Sequence, residues 1–97
     1  FEQVFARQIE ALGRPGDVFI AISTSGDARN IVQALRACQQ RHIQRVGLTG
    51  QTGGQMRKLC DYCLCVPSRA TPLIQEAHIM LAHLLCELIE SELFSRR

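Results

Sequence analysis

The sequence predicts an α/β fold, with a parallel sheet packed between helical layers. Three observations carry this. Short apolar runs at Asp17 to Ile22, Val46 to Thr49 and Tyr62 to Val66 alternate with segments of helical period. The first run, Val18-Phe-Ile-Ala-Ile22, is continuously apolar, as in a strand buried on both faces of a parallel sheet. The first two runs lead into turns of small or glycine residues, Ser23 to Gly26 and Gly50 to Gly54.

Each element has its own local reason. Phe1 to Leu12 places Val4, Phe5, Ile9 and Leu12 on one helical face, and Gly13, Pro15 and Gly16 then turn the chain. Asp27 to Gln40 is helical, with Ile31, Val32, Leu35 and Cys38 on one face. Gln55 to Leu59 reads as a short helix, and Pro67 closes the third strand. Thr71 can cap the last helix, and Pro72 suits its first position, where the missing N–H costs nothing. This helix is expected to run to Leu93. Apolar on most sides, through Ile74, Leu81, Leu84, Leu85, Leu88 and Ile89, it reads as a buried helix, at a subunit contact as well as against the sheet. Three strands are few for such a sheet, and a bare apolar edge is an association hazard. Further strands or another subunit are expected to cover it, so residues 1 to 97 read as an incomplete domain.

Composition excludes more than it selects. A net charge of +2 is too small to argue for nucleic acid or an anionic membrane. No uninterrupted apolar run approaches the roughly 20 residues of a membrane span, since His83 and Glu87 break the densest stretch. There is no signal-like segment, and a cytoplasmic location is expected. The five cysteines fit reduced thiols better than a disulfide framework. Cys60-Asp-Tyr-Cys63-Leu-Cys65 looks like half a zinc ribbon but has no second ligand pair. The expected role of Cys63 and Cys65 is that of small hydrophobes in a strand.

The turn after the first strand is the candidate binding feature. In open α/β sheets ligands bind at the carboxyl ends of strands. Ser23-Thr24-Ser25-Gly26 lies there, at the start of the next helix, where backbone N–H groups and the macrodipole favour negative charge. Three hydroxyls without a lysine suit a monophosphate on a small molecule better than a nucleotide. The same residue types also serve as plain helix caps, and physics alone leaves both roles open.

Gly16 to Gly26, Leu48-Thr-Gly50 with Gly53-Gly54, and Ile74-Gln-Glu-Ala-His-Ile79 together closely resemble the sugar isomerase (SIS) family. Within it, the resemblance is to the C-terminal portion of bacterial phosphoheptose isomerases. It covers nearly the whole chain. It implies interconversion of sedoheptulose 7-phosphate and a heptose 7-phosphate through an enediol, an early step toward lipopolysaccharide heptose. It implies that Ser23, Thr24 and Ser25 hold the substrate phosphate. Gln75 and, eight residues later, His83 inherit roles as substrate or zinc ligands, with His83 also the acid–base group. A homotetramer is implied too. A partner His and Glu in the family have no match here. Eight residues rise about 12 Å and turn the helix by about 80° between the two positions, so spacing alone does not suggest a site. His78 lies nearly on the face of Gln75, but the family motif favours His83. His42, in a polar turn, is expected to be solvated.

Departures from the family pattern fall at Asp27, Ala28 and Leu73, where Asn, Ser and Arg are usual. They remove a hydroxyl and add a carboxylate beside the turn. Asp27 is repulsive to a phosphate unless it points away; as a cap on the N–H groups of the following helix it would instead compete with the ligand. Two alternatives stand beside the isomerase: a non-catalytic relative that binds the replication initiator DnaA, and a sugar-phosphate-binding module without a reaction of its own.

Overall fold

The computed structural model describes residues 3–94. Seven elements follow in order: α1 (Val4–Leu12), β1 (Val18–Ile22), α2 (Arg29–Gln40), β2 (Gln44–Thr49), α3 (Met56–Leu59), β3 (Tyr62–Cys65) and α4 (Thr71–Phe94). The strands form one parallel sheet in the order β1-β2-β3. The expected α/β class, the parallel strands and the order of elements along the chain hold. The start of the expected first helix, at residues 1 and 2, lies outside the described residues.

Register sorts the side chains onto two faces. Ala21 pairs with Gly47, and Gly47 with Cys63. This face meets α2 and α3: Ala21, Leu35 and Met56 form the core, with Phe19, Ile31, Leu59, Cys60 and Cys63 against it. Gly47 is needed there, because a Cβ would sit 2.8 Å from the Cys60 sulfur and 2.9 Å from the Met56 methyl. The opposite face carries Ile20, Val46 and Tyr62 in one row and Ile22, Leu48 and Leu64 in the next. Leu48 is buried, but Val18, Ile20, Ile22, Tyr62 and Leu64 are exposed.

Two expectations are corrected here. The first strand is not buried on both faces: Ile20 is 43 % exposed and Ile22 50 %. The long helix is not buried either. Among its described residues only Ile74 and His78 are buried, while Leu84, Leu88 and Ile89 remain exposed. The physical reason is the same in both cases. Sequence period reports which surfaces are apolar, not whether this chain supplies their cover. α4 is also long and apolar enough, by length and composition, to cross a membrane, although no uninterrupted run is.

Smaller shifts have local causes. α2 begins at Arg29 rather than Asp27, because Gly26 has φ +75° and the Asp27 N–H is held by Ser25 Oγ at 3.1 Å. β2 begins at Gln44, two residues early, where the Gln44 N–H donates to Asp17 O at 3.0 Å. His42 makes the preceding turn with φ 59° and is exposed.

Candidate functional site

The Ser23 to Gly26 turn leaves the carboxyl end of β1 and is tied into the sheet at once. The Ser23 N–H donates to Leu48 O at 3.0 Å, and Thr24 O accepts the Gly50 N–H at 3.0 Å. The two serine hydroxyls accept from the turn's own backbone: Ser23 Oγ from the Gly26 N–H and Ser25 Oγ from the Asp27 N–H, both at 3.1 Å. Each hydroxyl keeps its proton as a donor for a ligand. The N–H groups of Gly26 and Asp27, expected to face an anion, are occupied by these serines. The hydroxyls and the start of α2 are what the turn offers an anion.

Asp27 neither caps α2 nor turns toward the Ser-Thr-Ser hydroxyls. Its Oδ1 accepts the Gln55 N–H at 2.8 Å, at the start of α3. The Met56 N–H donates to Gly26 O at 3.1 Å beside it. A Cβ on Gly26 would run into Gly53 O, so the first turn can lie against the second only with glycine at this point. The two turns therefore interlock, and the Asp27 carboxylate is spent on the lock. This answers the expectation that it would compete with a ligand at α2. Ala28 occupies the N-cap position of α2 and makes no side-chain cap.

A cleft of about 520 Å³ opens over the turn. Ser23, Thr24, Ser25, Asn30, Gln75 and His78 supply its polar lining, with Phe5, Ile22, Ala28 and Ile31 as apolar wall. No described lining residue is Lys or Arg. A larger hollow, about 700 Å³, lies at the amino ends of the strands beside His42, Arg45 and Asp61. That end of a parallel sheet is not where ligands gather, and the Arg45–Asp61 ion pair at 3.1 Å closes on itself there.

The structure brings Gln75 to the Ser-Thr-Ser turn and leaves His83 outside the lining of the cleft, exposed further along α4. His78, passed over in favour of His83, is the histidine in the lining. Only its place three residues from Gln75 signalled this. Among the described residues no three His, Cys, Asp or Glu side chains come together to hold a metal. His83 is an ordinary zinc donor and Gln75 offers only a neutral amide oxygen, so alone they do not fit a zinc site. The cysteines do not form one either. Cys63 and Cys65 face each other at 3.9 Å, and burial, followed by the neighbouring Cys65, pushes the Cys63 thiol up to about 12. Burial also raises the Cys60 and Cys38 thiols. They behave as half-buried or buried small hydrophobes.

The SIS domain model matches residues 4–88. The chain belongs to the SIS domain family. Over 96 residues it is 54 % identical to phosphoheptose isomerase 2 of Campylobacter jejuni, covering 99 % of this chain and 48 % of that protein. It is 52 % identical to the phosphoheptose isomerase of Aneurinibacillus thermoaerophilus, covering all of this chain and 49 % of that one. The solved phosphoheptose isomerase from Neisseria gonorrhoeae superposes with a TM-score of 0.89 at 42 % identity, over 92 % of this chain and 51 % of that chain. The one from Francisella tularensis gives 0.90 at 37 % identity, over 94 % and 49 %. The chain thus spans about half the length of the relatives it matches. Such coverage takes in most of α4, which identifies it as a helix of the SIS fold.

Proposed function

We propose that the protein containing this chain is a phosphoheptose isomerase, and that the chain is the C-terminal part of its SIS domain. The observation that carries this reading is the Ser23–Ser25 turn sharing one cleft with Gln75, in a chain about half identical to proteins of that name. The substrate class is a sugar phosphate, with sedoheptulose 7-phosphate as the specific proposal. Its phosphate takes hydrogen bonds from Ser23 and Ser25 Oγ, with Thr24 beside them. Gln75 holds the sugar hydroxyls. His83 moves a proton at the reacting carbons or their oxygens. The isomerisation removes a proton from one carbon and returns one to its neighbour through an enediol, with no net gain or loss of atoms. His83 needs a partner group, and a catalytic geometry, that the described residues of this chain do not supply.

Zinc belongs to the same proposal as an accessory. Gln75 and His83 are the two candidate ligands, and further ligands have to come from elsewhere. The location proposed is the cytoplasm, the assembly a homotetramer, and the product a precursor of lipopolysaccharide heptose. Incubating the complete protein with sedoheptulose 7-phosphate and following aldose product by NMR tests the reading. Turnover that disappears in His83→Ala supports it. A folded protein with no turnover on this substrate contradicts it.

A further inference from the structure

We infer that His78 is a positioning residue that holds the helix bearing Gln75 and His83 in register with the phosphate turn. His78 is 3 % exposed, and its Nε2 lies 3.0 Å from Thr49 O, the carbonyl at the carboxyl end of β2. A carbonyl only accepts, so Nε2 carries the hydrogen and donates it. The same carbonyl accepts the Val66 N–H at 2.9 Å, which brings the end of β3 to the same point. From Thr49 the connection continues to the turn. Its Oγ1 lies 3.5 Å from Thr24 O, and the next residue, Gly50, donates its N–H to that oxygen at 3.0 Å. α4 is thereby linked to the middle of Ser-Thr-Ser by consecutive hydrogen bonds.

Only two described side chains of α4 are buried, Ile74 and His78. Ile74 lies against Gly50, where a Cβ would come within 2.8 Å of its methyl. That contact is apolar and tolerates sliding and rotation. The His78 bond is directional and fixes both. It falls three residues after Gln75 and five before His83, so it sets the rotation and height of both. Burying an imidazole costs more than burying a leucine. Its Nδ1 is buried without a partner among the described residues. A purely packing residue would not carry that cost, which marks the Nε2 bond as the reason for histidine here.

The inference rests on the isomerase reading for its kinetic consequence, but not for its geometry. Two variants of similar size separate a donor from mere volume: His78→Gln keeps a side-chain N–H, and His78→Met does not. In the complete protein assayed with sedoheptulose 7-phosphate, His78→Met is expected to lower kcat at least about tenfold with KM within about threefold, since a displaced catalytic group costs rate more than ground-state binding. His78→Gln is expected to restore kcat to within about threefold of wild type. Equal kcat in the two variants, or a loss confined to KM, overturns the inference. Imidazole nitrogen NMR of the wild-type protein decides the case where a variant does not fold or the wild type does not turn over this sugar. The Nε2–H tautomer at His78 supports the anchor, and the Nδ1–H tautomer overturns it. Absence of wild-type turnover counts against the isomerase reading alone.

Discussion

The two halves of the candidate site are built very differently. The proposed phosphate side, Ser23 to Asp27, is locked by the sheet, by Gly50 and by the start of α3. The chemical side, Gln75 and His83, stands on a helix most of whose described residues are exposed. A rigid cradle and a lightly anchored reactive arm lie on one chain. The proposed phosphate contacts therefore all lie within the described residues, whereas the proposed catalysis needs contacts and partners that they do not provide. Separate substitutions on the two sides should give separable failures.

The largest effect is expected at His83. His83→Ala in the complete protein should lower kcat by about 10² to 10⁴, the ordinary worth of a general acid–base group. Thermal stability should fall far less than turnover, because the His83 side chain lies outside the buried core of the described residues. Equal losses of activity and stability would make His83 structural and erase the contrast. Next comes the cradle. Ser25→Ala removes one hydroxyl donor to the phosphate and the acceptor of the Asp27 N–H. KM should rise roughly tenfold with kcat little changed, the worth of one hydrogen bond to a charged group. A loss in kcat alone would show that the turn is not the phosphate cradle.

The lock itself predicts a smaller effect. Asp27→Ala leaves the Gln55 N–H without its acceptor and should cost about 1 kcal/mol in denaturant unfolding, as for other lost caps. Asp27→Asn keeps an oxygen there and should cost less. An increase in substrate affinity in Asp27→Ala would mean that the carboxylate repels the phosphate after all. The smallest effect lies away from the site. The Cys63 thiol is held protonated in the fold, up to about 12, against an ordinary value of 9.0. Its contribution to stability is intact below pH 9 and is lost as pH rises from there toward 12, where the unfolded chain ionises first. Thermal melts across this range should show a decline that Cys63→Ala diminishes.

Much of this was legible in the sequence, for identifiable reasons. The strand, small-hydroxyl turn and helix from Asp17 to Gln40 are local, and the period and turn chemistry of neighbouring residues decide them. The lock was not legible, because Asp27 and Gln55 are 28 residues apart and nothing in either residue announces the other. Residue type gave His78 no advantage over His83. The difference is burial against Thr49 O, which depends on how α4 lies across the end of β2. The open face of Val18, Ile20 and Ile22 was misread for a related reason. An apolar run states a demand for cover, and among the described residues that demand is left unmet at Val18, Ile20 and Ile22.

A structure of the complete protein with sedoheptulose 7-phosphate bound tests the central claim most directly. The account predicts the phosphate within hydrogen-bond distance of Ser23 and Ser25 Oγ, with Asp27 still on the Gln55 N–H, Gln75 on the sugar and His83 drawn to the reacting carbons. A phosphate held elsewhere, such as the hollow beside His42 and Arg45, with the Ser-Thr-Ser turn empty, would contradict it.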